Sequence, residues 1–281
     1  MYLTEIAQSK ALPRIFCRPI IIETEYFIPY DVVFYFMDYD DLVLIAEVDE
    51  LLDEPTVRSY ADAVAIPFSD ADSVIDQVKH YSGELPIVIT TYANKDRNAT
   101  FSDSEIDSLQ TVVEHDSVEA ITISLDDVQK EEQLLKSLNS ANVDIIVSYV
   151  NYSQTPSRSD LMSTIMGAAN FGDIVYVQTT AETTNDTSTL LSVINDATDQ
   201  DVIIGGVATG KIGRHTRAIA PFYGSKLAFA PAAQSQNNNN RDTFTIQELS
   251  ELIEDIEYSS TTTSLHDSIT NSLITEYDDP K

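Results

Sequence analysis

The chain has a single cysteine, Cys17, in 281 residues. That excludes an intramolecular disulfide framework and any cysteine-based zinc finger. Its four histidines, His80, His115, His215 and His266, stand far apart and make neither an HxxxH nor an HExxH pair. No window approaches the ~20 uninterrupted apolar residues of a membrane span. No G-x-G-x-x-G follows the first apolar run, which argues against a dinucleotide site. Basic residues are scarce, 16 Lys and Arg against 46 Asp and Glu, for a formal net charge of −30 and a pI near 4.1. Phosphate backbones need a basic footprint and anionic bilayers repel a chain like this one. Nucleic acid and membrane are therefore excluded as partners.

Hydrophobic residues make up 43% of the chain, enough for a full core. The acids are dispersed rather than gathered in a tail, as at Asp38, Asp40, Asp41, Glu50, Asp53, Glu54, Asp126 and Asp127. A dispersed acidic skin with only eight lysines fits a protein of a salt-rich cytoplasm. At ~1 M salt the Debye length is about 3 Å, so the self-repulsion is largely screened. An ordinary acidic protein is the alternative.

From Leu42 onward, short β-branched runs alternate with amphipathic stretches. The runs are Leu42–Ala46, Ala63–Ile66, Pro86–Thr90, Ala120–Ser124, Val143–Tyr149, Ile174–Val177, Val202–Gly206 and Lys226–Ala230. Each is short and nearly continuous, as buried parallel strands are. Helical periodicity marks Asp72–Tyr81, Ser102–Glu114, Asp127–Leu138, Ser157–Ala169, Thr187–Ala197 and Thr245–Glu257. The second of these opens on a capping box, Ser102 with Glu105. Eight strands with intervening helices predict an α/β fold, a (β/α)8 TIM barrel over 37–258. A doubly wound open sheet is the alternative.

Residues 1–36 read as an N-terminal extension, natural or an artefact of start-site choice, which the intact mass of the natural protein would decide. They lack the basic start, apolar core and cleavage site of a signal peptide. Residues 259–281 are Ser/Thr-rich, with Leu265, Ile269 and Leu273 at a spacing of four, and read as a polar tail. Asn237–Asn240 is a polar loop before the last helix, and cytoplasmic localisation is expected.

Several stretches together are specific. Tyr60-Ala61-Asp62-Ala63-Val64 leads into the second strand, Ser82-Gly83-Glu84-Leu85-Pro86 opens the third, and His115-Asp116-Ser117-Val118-Glu119-Ala120 opens the fourth. Val147-Ser148 with Thr155-Pro156 closes the fifth, and Gly172-Asp173-Ile174-Val175 opens the sixth. Gly213-Arg214-His215-Thr216-Arg217 through Gly224-Ser225 leads into the eighth. In order and spacing this resembles type I 3-dehydroquinate dehydratase, in its haloarchaeal form, over roughly residues 37–257. The resemblance implies a lyase of the shikimate pathway, in aromatic amino acid biosynthesis, working without a cofactor. A lysine on the sixth strand forms an imine with the substrate ketone. A histidine on the fifth moves protons, and arginines hold the carboxylate.

The positions that match those roles are substituted. The lysine's place is Tyr176, and a phenol forms no imine. The histidine's place is Val150, and an isopropyl group carries no proton. The family's Glu-x-Arg on the second strand is Ala65-Ile66-Pro67, and its third-strand arginine is Tyr92. The glutamine before the last helix falls at about Thr243. Arg217 remains, with Arg214 and His215 beside it.

Lys211 is the one substitute considered for the lost amine, and a solvated loop lysine is the plainer reading of it. Gly205 to Lys211 mimics Gly-x4-Gly-Lys, but Ile212 stands where a Ser or Thr should hold magnesium. Lys211, Arg214 and Arg217 are the tight basic cluster of the barrel region and are expected to receive a small carboxylate or phosphate, although the arginines could instead pair with nearby carboxylates. Tyr176 and Tyr92 either line a remodelled pocket or fill the vacated one. Three functions remain open: a pseudoenzyme that binds a small anion, an active dehydratase or related lyase using a relocated lysine, and a structural or partner-binding barrel. The oligomeric state is open, a dimer included.

Overall fold

The structure, a computed structural model, describes residues 37–91, 101–233 and 243–257. All eight strands form: β1 (Val43–Glu47), β2 (Ala63–Pro67), β3 (Ile87–Thr90), β4 (Val118–Ser124), β5 (Asp144–Val150), β6 (Ile174–Thr180), β7 (Ile204–Thr209) and β8 (Leu227–Pro231). Every ladder is parallel, in the order β7-β6-β5-β4-β3-β2-β1-β8. The seam between β7 and β8 is closed at its lower end. There the Lys226 amide donates to the Ile204 carbonyl at 2.7 Å and the Gly206 amide to the Ser225 hydroxyl at 3.3 Å. The open-sheet alternative is set aside, because β7 and β8, the two ends of that order, meet through these bonds and the ring returns on itself.

The helices are α1 (Glu54–Val57), α2 (Ala71–Lys79), α3 (Asp103–Val113), α4 (Leu125–Lys130), α5 (Glu132–Ser140), α6 (Arg158–Ala168), α7 (Thr184–Thr198), α8 (Gly210–Gly213), α9 (Thr216–Ile219) and α10 (246–257). The stretch expected as one helix over Asp127–Leu138 is two, broken at Glu131. In a continuous helix Val128 and Leu134 would point about 120° apart, because six residues at 100° each do not return to one face. The break lets Val128 and Leu134 both be buried. Ser124 fixes the early start, accepting the Asp127 amide at 3.1 Å. The capping box at Ser102 and Glu105 is formed. A second, Thr183 with Asp186, starts α7 three residues earlier than apolar periodicity suggests.

Two apolar layers result. The larger lies between the sheet and the helices and includes Ile66, Ile89, Ile121, Val147, Val177, Leu109, Leu161 and Leu190. The smaller fills the barrel: Val43, Ile45, Ala63, Ala65, Val88, Ala120, Ile146, Ile174, Tyr176, Val207, Leu227 and Phe229. Met37 and Tyr39 join it, fully or nearly buried, just before β1. Alternation along strands buried on both faces explains the continuous apolar runs of the sequence. The expected extension, polar tail and asparagine loop lie outside the described residues. Among the described residues, no helix is long and apolar enough to cross a membrane.

Candidate functional site

In a barrel of this kind, side chains at the C-terminal ends of the strands face one mouth. Tyr176, third residue of β6, points inward and is 3% exposed. Its ring meets Phe229 of β8 edge-on, with centroids 4.8 Å apart and planes at 69°. Gly205, its register partner on β7, makes room for the ring: a Cβ there would lie 2.9 Å from Tyr176 Cδ2 and equally close to Leu227 Cβ. Burial raises the phenol to about 12, against a smaller downward pull from Arg217 and a further upward push from Glu47, the last residue of β1. The phenol is therefore neutral, with a cation and a carboxylate among its electrostatic neighbours.

Neighbouring polar side chains at this depth turn back onto the sheet. Thr90 and Ser148 each donate to a strand carbonyl at 3.3 Å, those of Ile66 and Ile123. Thr122 accepts the Thr91 amide at 3.3 Å. Above them, Thr155, Thr180 and Thr209 stitch the tips of β5, β6 and β7 together, through Thr155 to the Thr180 carbonyl at 2.9 Å and Thr209 to the Thr179 carbonyl at 2.9 Å. Val150, last residue of β5, is half-buried at this rim. Ala65 and Pro67 end β2 with no charge to offer.

The segment after β7 carries the cations. A Cβ on Gly213 would meet the Ala208 carbonyl oxygen at 2.5 Å, so glycine lets α8 lie against β7. The buried Thr216 hydroxyl holds the turn, donating to the Gly213 carbonyl and accepting the Ala208 amide, both at 2.8 Å. This places half-buried Arg217 so that its Nη1 donates to the Phe229 carbonyl. The Arg214 guanidinium stacks 3.9 Å from the ring centroid of Phe244. Its Nε is buried with no hydrogen-bond partner among the described residues. Lys211 on α8 is exposed, as is His215, whose Nδ1 lies 3.0 Å from the Ile212 carbonyl.

Of the residues singled out in the sequence, Tyr176 and Arg217 share one environment, joined by Phe229, which receives the ring of one and the hydrogen bond of the other. Arg214 and Lys211 follow on the same segment, Lys211 turned to solvent. The expectation that the arginines pair with carboxylates finds no such ion pair for either among the described residues: their contacts are a backbone carbonyl and an aromatic ring. Tyr92 lies outside the described residues. The nucleotide-loop mimic is removed, because Gly205, Gly206 and Val207 are strand residues of β7 rather than a loop. His80 is exposed, and His115 is half-buried in the turn into β4, where its Nδ1 accepts the Ser117 amide at 3.3 Å. His266 lies outside the described residues.

Sequence reasoning missed Glu47, and it took Gly205 for part of a nucleotide-loop mimic rather than for the residue that makes room for Tyr176. Glu47 looks like one more acid of an acidic chain, and its place at the end of an apolar strand was the available signal. Among the described residues no cluster of three metal-ligating side chains occurs. The larger described cavity, lined by Leu44, Arg58, Tyr60, Asp62, Ile253 and Glu254, opens at the other end of the barrel, near the entry to β2.

The family profile of type I 3-dehydroquinase matches residues 49–259. Among similar proteins, the 3-dehydroquinate dehydratase of Haloarcula marismortui is 29% identical over 201 residues, covering 69% of this chain and 88% of its own. That of Halobacterium salinarum is 27% identical over 206 residues, covering 71% and 91%. Among solved structures, 3-dehydroquinate dehydratase from Geobacillus kaustophilus superposes with a TM-score of 0.67 at 17% identity, covering 78% of this chain and 92% of that one. The last likeness carries the barrel fold.

Proposed function

Because the chain belongs to the type I 3-dehydroquinase family, we propose that it is a member that does not dehydrate 3-dehydroquinate through an imine and instead binds a small anionic metabolite at the barrel mouth. The observation that carries this reading is the pair of side chains at the strand tips. Tyr176 is buried on β6 and Val150 sits at the end of β5. Imine formation needs an unprotonated amine at the first place, and proton transfer needs a titratable group at the second. Neither side chain offers one, and acid–base catalysis alone is worth ~10²–10⁴-fold.

Arg217 reaches Phe229 of the barrel interior, with one Nη committed to its carbonyl and further donors left for a ligand. Arg214 and Lys211 extend the positive edge, and Tyr176 and Tyr92 complete the proposed set. In this reading residues 37–258 are the working barrel, in the cytoplasm of a salt-rich cell. A second reading is favoured by one observation. Lys211 is the lysine that the described residues place after a strand tip, so an active dehydratase or related lyase would have to draw its imine from there or from outside the described residues. Its exposure speaks against it, because an imine formed in open solvent is left to hydrolysis.

Complementation of an aromatic-amino-acid auxotroph lacking the dehydratase tests the reading, in a salt-tolerant host. No growth is expected; growth overturns it. The anion arm is tested by thermal shift with phosphate and with small carboxylates. Stabilisation that disappears in Arg217→Ala is expected, and no shift with any of them contradicts it.

A further inference from the structure

The mouth carries one charge that a plain anion does not use. Val43 and Ile45 of β1 belong to the barrel cluster, while Leu44 and Ala46 pack on the helical side. Alternation therefore sets Glu47, the last residue of the strand, on the inward face, where it is half-buried. Its backbone is fixed there, because its carbonyl accepts the Ala232 amide at 2.9 Å. Among the last two residues of each of the eight strands, Glu47 is the one carboxylate. Its register partners, Ala65 on β2 and Pro231 on β8, carry no charge.

The cation of the mouth is anchored close by. Arg217 donates to the carbonyl of Phe229, which precedes Pro231 by two residues on β8. Two residues along a strand and one strand across amount to about 8 Å, so the anchor of Arg217 and the backbone of Glu47 lie within the reach of one small molecule. Tyr176 responds to both charges, which places them around the same ring. A carboxylate at this distance repels a bound anion. It turns from a liability into a contact when the same ligand also carries an ammonium, through a charge-assisted hydrogen bond. A carboxylate has about four acceptor sites, so a partner on one oxygen leaves others for the ligand.

Resting on the anion-binding reading of the mouth, we propose that Glu47 sets the class of ligand: a small zwitterionic amino acid whose carboxylate goes to Arg217 and whose ammonium goes to Glu47. The charge at the end of β1 thus selects against simple mono- and dicarboxylates and for a molecule with one charge of each sign.

The test uses the full chain in high salt and two matched pairs of probes: butanoate with 4-aminobutanoate, and hexanoate with 6-aminohexanoate. Kd is measured by calorimetry for the natural sequence, Glu47→Gln and Arg217→Ala. In the natural sequence at least one amino acid is expected to bind about 10-fold tighter than its plain partner, the gain of a charged hydrogen bond. The chain length that gains most measures the separation of the two charges. Glu47→Gln keeps the shape of the side chain and should erase the preference, while plain acids bind as tightly as before or tighter because the repulsion is gone. Equal affinity within both pairs in the natural sequence, a preference retained in Glu47→Gln, or weaker binding of the plain acids in that variant overturns the proposal while leaving anion binding intact. Failure of all four probes to bind the natural sequence, or binding of the plain acids that survives Arg217→Ala, overturns the underlying reading instead.

Discussion

Position 176 shows how one side chain can change what a barrel interior is able to do. A lysine there would need its ammonium deprotonated in a dry, partly positive setting beside Arg217, and desolvation together with that neighbour would help. Tyrosine in the same place is accommodated by packing. Gly205 yields the volume, Phe229 supplies an edge-on partner, and the phenol stays neutral. Gly205→Ala should therefore destabilise the protein by about 1–3 kcal/mol in chemical denaturation, because its Cβ would press on Tyr176 and Leu227. Combining it with Tyr176→Ala should recover at least ~0.5 kcal/mol relative to additivity. Strict additivity would mean that the ring and the glycine are not coupled. Positions 150 and 176, which the resemblance matches to the family's histidine and lysine, could be located in the sequence because each lies a fixed step from a framework motif, Ser148 or Asp173. Their neighbours were not legible. Phe229 and Gly205 reach Tyr176 from other strands, and no local pattern announces a contact that the closure of the ring creates.

The elements were legible where a single rule governs them. Each expected strand formed within a few residues of its limits, because strands buried on both faces read as unbroken apolar runs. The helices shifted where side-chain caps outweighed periodicity, as at Ser124 and Thr183. The cap at the start of α7 also makes a pH prediction. Backbone hydrogen bonding at Thr183 is the largest cause holding the Asp186 carboxyl below its ordinary value. A carboxylate depressed in the folded state adds stability that is fully present above the unfolded pKa, about 3.9, and is lost as pH falls through the folded value. Asp186→Asn should therefore flatten part of the loss of Tm below that pH; an unchanged acid limb would contradict the assignment. At the start of α1, Glu54 is fully buried and holds Arg58 at both Nε and Nη2, at 2.9 and 2.7 Å, while accepting the Leu85 amide at 3.3 Å. Glu54→Ala strands these donors and should cost about 2–3 kcal/mol, measured by urea denaturation. A cost under ~0.5 kcal/mol would reduce the cluster to an ordinary surface pair.

At the scale of the molecule, a net charge of −30 must be lived with as well as folded. Dispersed over the surface, it opposes compaction at low ionic strength and is screened when the Debye length shrinks to about 3 Å near 1 M salt. Tm should rise steeply as potassium chloride is raised through that range; a flat profile would favour an ordinary acidic protein. Relatives from Haloarcula and Halobacterium agree with the salt-rich reading. The whole barrel was foreseeable because eight alternations leave few topologies, and the family was foreseeable because its frame motifs survive in order. The proposed loss of chemistry inside that frame rests on Tyr176 and Val150. It is tested most directly by adding borohydride to the full chain with 3-dehydroquinate in high salt and reading intact and peptide masses. The account predicts an unmodified chain; a reduced adduct on any lysine, Lys211 or another, would contradict it.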